Sequence, residues 1–206
     1  MAWKIFRGNL MTNREWRAGR PADGPRDDGA TKIGVGSRSG ISGNLQSAPV
    51  WATLVATFFG AGRMRPGPGT WGSAATVILW WLVGHKLALA WQPWVAFLLA
   101  SIAVLVGIPA ATRVARASGL NDPQFVVIDE VAGQLFTLIA SPIKWQSLLL
   151  GFILFRAFDI VKPPPIRRLE RLPEGVGIVI DDVGAGIYGL AIMQMALHFG
   201  LLSPSR

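Results

Sequence analysis

An all-α bundle of membrane-spanning helices is the fold this sequence predicts, and three observations carry that reading. About half of the 206 residues are apolar and only 16% are charged, against roughly a quarter charged in a soluble domain. Nine residues are tryptophan, which collects at membrane–water interfaces. Beyond residue 50 the apolar residues fall into five stretches, about 71–91, 94–112, 123–141, 146–161 and 183–202. Most approach the roughly 20 residues that a helix needs to cross a hydrocarbon core; the fourth is short and depends on its neighbours. Gly and Ala recur in them, which lets helices approach closely in lipid.

Residues 1–48 are of another kind. They carry eight Lys/Arg and four Asp/Glu among Gly, Ser and Asn, with apolar residues scattered singly. Such a segment buries too little surface to offset its ordering entropy, so a disordered basic tail is expected ahead of a membrane-embedded domain at 49–206. The tail has no apolar h-region, so no cleavable signal is expected in it. Residues 50–59 (VWATLVATFF) are apolar but too few to cross, and they predict a short interfacial or re-entrant helix. GAGRMRPGPGT at 60–70 then interrupts regular structure, with the first long helix expected to begin near Trp71.

Charge sets the topology and narrows the partners. The net +8 divides evenly between tail and remainder, with no dense basic run or basic–aromatic stripe. That pattern argues against nucleic acid and for anionic lipid headgroups. With the tail inside, Arg63 and Arg65, then Arg113 and Arg116, then Lys162, Arg167, Arg168 and Arg171 all fall on the cytoplasmic side. Only Lys86, Lys144 and Arg206 fall outside. Five spans therefore satisfy the positive-inside tendency. The chain has no cysteine, which excludes disulfides, thiolate metal sites and cysteinyl-phosphate chemistry.

The acidic residues carry the chemistry. None occurs between Asp28 and Asp122; then come Asp122, Asp129, Glu130, Asp159, Glu170, Glu174, Asp181 and Asp182. Five of them lie in or at the end of apolar stretches, where a carboxylate costs about 2.5–3.5 kcal/mol on insertion scales. In the five-span topology Asp129 and Glu130 sit two turns into the third span, Asp159 ends the fourth, and Asp181 and Asp182 begin the fifth. All are near the cytoplasmic face. Oxygen ligands without Cys or well-placed His suit a hard cation, and Mg²⁺ fits when phosphate oxygens complete its shell. Adjacent helical residues point about 100° apart, so one of each pair can reach a metal while the other holds a supporting group. The plainer alternative is that these acids pair with headgroup-level Arg and Lys, as Asp159 would with Arg156 on its own helical face.

Arg156 and Lys162 flank Asp159 and offer cations to a phosphate. The Gly-rich turn, with Thr70 and Ser73 beside it, leads into a helix and offers a backbone anion site, although Gly–Pro turns at helix starts are common without one. The two histidines, His85 and His198, fall at the external ends, which disfavours a histidine nucleophile. Together these residues predict a magnesium-dependent lipid phosphate phosphatase.

GPGTWGS (67–73), VIDEVAGQ (127–134), FRAFDIVKPPPI (155–166) and GVGIVIDDVGAG (175–186) resemble, in order and spacing, the phosphatidylglycerophosphatase A family across roughly 50–200. The resemblance implies hydrolysis of phosphatidylglycerophosphate to phosphatidylglycerol and phosphate, with Mg²⁺, in the bacterial inner membrane. It also implies that Asp129, Glu130, Asp159, Asp181 and Asp182 belong to the acidic active-site set. The tail lies outside the resemblance, Ala74 stands where the family pattern has Leu, and Arg63 and Arg65 make the Gly-rich loop more basic than that pattern. The carboxylates would hold Mg²⁺, one of them left free would act as general base, and Arg156 and Lys162 would hold the phosphate. Water attack and a transient aspartyl-phosphate both stay open, as does the oligomeric state. A CDP-alcohol phosphotransferase, the nearest rival enzyme, would need one long four-Asp motif that is absent, and a cation transporter would place acids at several depths.

The topology predicts that single cysteines at 88 and 170 in this Cys-free chain react with impermeant reagents from opposite faces of the membrane. Labelling of both from one face would overturn the arrangement.

Overall fold

A computed structural model describes residues 48–201, which form seven α-helices and two short 3₁₀ turns, with no strand among the described residues. The expected disordered tail and its cytoplasmic placement fall almost wholly on residues outside that range. Helix α1 (Val50–Ala56) is short, as its apolar run of ten suggested. It ends in a turn where Phe58, Phe59 and Gly60 take positive φ values of 44°, 55° and 98°. After a 3₁₀ turn at Ala61–Arg63, α2 (Pro68–Gly84) begins three residues before Trp71. Proline suits the first helical turn because its missing N–H has no intrahelical partner there.

After a second 3₁₀ turn (Leu89–Trp91), α3 (Gln92–Ser118) runs six residues past the expected end, stopping where Gly119 takes φ 69°. Gly at that left-handed position ends a helix without steric cost. Helix α4 (Ile128–Leu138) is shorter than the apolar stretch that contains it. Pro123 accepts from the Val126 N–H at 2.8 Å, and the Val127 N–H goes to Ala56 carbonyl at 2.8 Å. Those bonds hold 123–127 in an irregular approach, so Asp129 and Glu130 stand in the first turn of α4 and not two turns into a span. Helix α5 (Trp145–Val161) closes at Lys162, and the prolines that follow lead through the four-residue α6 (Ile166–Leu169) into α7 (Glu174–His198). Helix α7 begins nine residues before the expected 183, placing Asp181 and Asp182 about two turns inside it.

Helix α4 is the core of the bundle. Nine of its eleven residues are buried, and α2, α3, α5 and α7 all pack on it. The closest approach is to α7, where Gly133 and Gly186 meet backbone to backbone: a Cβ on Gly186 would overlap the Gly133 carbonyl oxygen. The Thr137 hydroxyl lies 3.1 Å from the Gly133 carbonyl and 3.2 Å from that of Gly186. Lower down, the Gln194 amide donates to the Ile139 carbonyl at 3.0 Å, just past the end of α4.

The outside of the bundle is apolar. Leu105 is 73% exposed and Ile78 59%, and Leu82, Phe97, Leu98, Ile153 and Ile187 also face outward. Two helices, Leu89–Ser118 and Glu174–His198, are long and apolar enough to cross a membrane. The outward apolar faces and these two helices together mark a membrane-associated protein.

The α4–α7 contact makes a stability forecast. Gly→Ala inside a helix ordinarily gains up to about 1 kcal/mol. At Gly186 the new methyl meets backbone that cannot yield, so G186A should lower the thermal midpoint in detergent by about 5 °C. At Gly184 a Cβ meets side chains and no backbone, Leu169 Cδ1 at 3.1 Å and Ile166 Cγ1 at 3.3 Å. G184A should therefore stay within roughly 2 °C of the parent; equal midpoints for both variants would remove the backbone contact as the cause.

Candidate active site

The bundle gathers its polar groups at one end. Helices α2, α4 and α7 start there and α3 and α5 finish there, around an open cleft of about 870 Å³. All eight carboxylate side chains of the described residues line it. His85 and His198 close α2 and α7 at their far ends, so neither reaches the cleft.

Asp129, Glu130 and Asp182 form the centre, each offering an oxygen within 4.8 Å of the others. Asp129 and Asp182 are buried, at 8% and 3% exposure. Asp129 Oδ1, Glu130 Oε2 and Asp182 Oδ2 have no hydrogen-bond partner. A buried carboxylate oxygen without a partner is costly, and three sharing one place form a ligand set for a cation. The donors are all hard oxygens, so a hard divalent ion fits them. Asp129 and Glu130 also stand in the first turn of α4, at the positive end of the helix dipole.

Asp181 points elsewhere. Its Oδ2 accepts from Lys162 Nζ at 2.5 Å and its Oδ1 from the Asp182 backbone N–H at 3.0 Å. Lys162 also lies 3.6 Å from Glu170 Oε1. Burial works against its ammonium, but the hydrogen bond and charge of Asp181 outweigh it and hold the Lys162 pKa above the ordinary lysine value. Asp159 Oδ2 lies 2.6 Å from Arg156 Nη1, the i,i+3 pairing that the spacing allows, and the same nitrogen is 3.7 Å from Glu130 Oε1. Arg156 Nε is buried without a partner.

Of the other residues singled out in the sequence, Thr70 and Ser73 do not line the cleft. Thr70 is exposed, while Ser73 is fully buried and donates its hydroxyl proton to the Gly69 carbonyl at 2.9 Å, inside α2. The turn reaches the cleft through Gly67, Pro68 and Gly69. A Cβ on Gly69 would overlap the Glu130 carboxylate and lie 3.0 Å from Arg156 Nη1. Only a residue without a side chain lets the start of α2 come this close.

Sequence reasoning gave no role to three acids that also line the cleft. Asp122 stands at its mouth, and burial pushes its carboxyl above the usual range, with Lys162 opposing. Glu170 touches Lys162, and Glu174 takes Arg116 in a two-pronged pair at 2.8 and 2.7 Å. The absence of acids between Asp28 and Asp122 is the signal that groups all eight.

A family model described as phosphatidylglycerophosphatase A matches residues 54–197. The phosphatidylglycerophosphatase A of Haemophilus influenzae is 39% identical over 155 residues, covering 72% of this chain and 90% of that protein. Its Escherichia coli counterpart is 35% identical over 156 residues, covering 73% and 87%. A Bacteroides thetaiotaomicron protein described as a candidate phosphatidylinositol-3-phosphatase is 36% identical over 146 residues, covering 69% and 91%. No solved structure matches. The match runs from within α1 to the last turn of α7, and so takes in every helix that contributes to the acidic cleft: the chain belongs to the phosphatidylglycerophosphatase A family.

Proposed function

We propose that this protein hydrolyses the terminal phosphomonoester of phosphatidylglycerophosphate, releasing inorganic phosphate and leaving phosphatidylglycerol, as a step of phospholipid synthesis. One observation carries the reading: in a member of this family, Asp129, Glu130 and Asp182 each keep a buried oxygen without a partner and lie together in a cleft that also holds Arg156 and Lys162.

Asp129, Glu130 and Asp182 are the residues that would hold Mg²⁺. When bound, the ion would draw charge off the phosphoryl oxygens and acidify a water. Arg156 presents its guanidinium to the phosphate, oriented by Asp159, and its partnerless Nε is available to an oxygen acceptor. Lys162, held by Asp181, supplies a second cation. Both stabilise the loose, charge-spread transition state of phosphoryl transfer. Asp159 and Asp181 thereby act as positioning residues. The proton of the attacking water goes to a carboxylate of the central set. The Gly67–Gly69 backbone closes one side of the cleft; Thr70 and Ser73 would contribute by shaping that turn.

The protein would sit in the bacterial inner membrane with the cleft at the cytoplasmic headgroup layer and residues 1–48 as a cytoplasmic tail. Five passes suit the bundle, with α1 as the interfacial piece. Helices α2 and α5, each about 25 Å long, then cross with their flanking turns. Helix α4 provides about 16 Å of its pass, and its irregular approach is tolerable because protein, not lipid, surrounds it. The substrate's acyl chains would stay in the bilayer while its doubly charged terminal phosphate enters the cleft.

Purified protein should release phosphate from phosphatidylglycerophosphate with Mg²⁺ and not with chelator. D129N, E130Q and D182N should each cut turnover by about a hundredfold, with partial recovery at high Mg²⁺. Mg²⁺ should also raise the thermal midpoint of the parent but not of D182N. Near-normal rates in all three variants would remove the central set from the site.

R156A should raise KM and lower kcat together, because a clamp acts before and during charge build-up. R156K should restore only part of the loss, since a point charge cannot reproduce a forked contact. If Arg156 only neutralises Asp159, the double variant R156A/D159A would regain most activity in mixed micelles, and both residues would leave the mechanism.

A further inference from the structure

A second cleft, of about 930 Å³, shares Gly67, Pro68, Leu120, Asp122 and Gln124 with the active one. It adds Arg63 and Arg65, so the two adjoining clefts have opposite sign. The active cleft is lined by eight carboxylates and four cations. Three of those cations, Arg116, Arg156 and Lys162, are already paired with carboxylates. In the second cleft Asp122 is the one carboxylate, and Arg63 and Arg65 make no ion pair with any described residue.

The arginines stand on a tethered loop. Between them and α1, Gly62 is buried on the chain that leads into α4; a Cβ there would overlap the Phe125 carbonyl and lie 3.2 Å from Val127 Cγ1. The Val127–Ala56 hydrogen bond holds the same junction, and the Trp71 indole donates to the Pro66 carbonyl at 3.1 Å. Val127 is two residues from Asp129, so the basic loop is anchored beside the acidic centre. Beside the arginines, Phe59 (79% exposed) and Met64 (46%) face outward, the mix of apolar and basic side chains that suits a headgroup layer.

We infer that Arg63 and Arg65 form a subsite for a phosphodiester, distinct from the place where the phosphomonoester is cleaved. The inference rests on the phosphatase reading above. The substrate of that reading carries two phosphates: a terminal monoester, and a diester joining its glycerol to the diacylglycerol. The diester bears one charge, is not cleaved, and is repelled by a cleft so rich in carboxylates. Two arginines uncommitted within the described residues, across a shared wall, offer it the forked contacts that guanidinium makes with phosphate oxygens. The headgroup of a neighbouring phospholipid presents the same chemistry, and the test separates the two sources.

The double variant R63Q/R65Q and its charge-keeping counterpart R63K/R65K are compared with the parent as full chains in neutral-detergent micelles. The substrates are phosphatidylglycerophosphate and phosphatidic acid, a lipid monoester with no diester, each with and without added phosphatidylglycerol. If the subsite takes the substrate's own diester, R63Q/R65Q raises KM about tenfold or more for phosphatidylglycerophosphate alone, and R63K/R65K recovers part of it. If it takes a neighbouring headgroup, both substrates slow, but only in micelles containing phosphatidylglycerol. Kinetics within twofold of the parent throughout would overturn the subsite. So would equal slowing of both substrates without phosphatidylglycerol, which marks a structural role. Calorimetric titration with dihexanoyl phosphatidylglycerol reads the subsite without turnover: affinity falls about tenfold in R63Q/R65Q, and equal affinity overturns the proposal. A parent that binds this lipid but releases no phosphate would strike the phosphatase reading and leave the titration to decide the subsite.

Discussion

Repulsion among carboxylates is the constraint around which this bundle is organised. Two unit charges 4 Å apart interact by about 4 kcal/mol at an effective dielectric of 20, and here eight acids share one cleft. The protein answers with interposed cations: Lys162 between Asp181 and Glu170, Arg156 between Asp159 and Glu130, Arg116 on Glu174. The first turn of α4 contributes its dipole. After these compensations, oxygens of Asp129, Glu130 and Asp182 still lack partners. The unmet demand is local, at a set of hard oxygens suited to a cation.

Such a centre needs its helices held closely and at the right height. The Gly133–Gly186 contact brings α4 and α7 to backbone distance, so that Asp182, one turn before Gly186, lies beside Asp129 and Glu130, one turn before Gly133. Gly69 does the same for the start of α2. These glycines set positions by leaving volume empty, and that is why small residues and acids alternate in the same stretches of chain.

Much of this was legible in the sequence because it is written in residue type and order. The helical class follows from apolar runs, and the acids can be grouped from the gap between Asp28 and Asp122. Helix limits were less legible. Hydropathy stops at charge, so the last apolar stretch is bounded at 183 with Asp181 and Asp182 at its start, although Pro173 and the apolar residues from Gly175 begin the helix two turns earlier. The true start of α4 depends on Val127 bonding to Ala56, seventy-one residues away in sequence, and no local pattern encodes that contact. Ser73 is a ligand candidate in the sequence only through its place beside the Gly-rich turn. Its burial and its bond to Gly69 depend on how α2 packs. The family model and the relatives add what geometry leaves open, the kind of phosphate ester.

The short length of α4 has a cost at its other end. A helix that stops at Leu138 leaves carbonyls inside the bundle, where water is scarce and each unmet acceptor is expensive. Gln194 supplies a donor to Ile139 from a position on α7 otherwise surrounded by apolar residues. Helix α7 therefore serves both termini of its neighbour, with a carboxylate beside the first turn and an amide at the last. The distance between Asp182 and Gln194 acts as a ruler for α4: lengthening the buried helix by a turn would strand the amide, and shortening it would strand carbonyls.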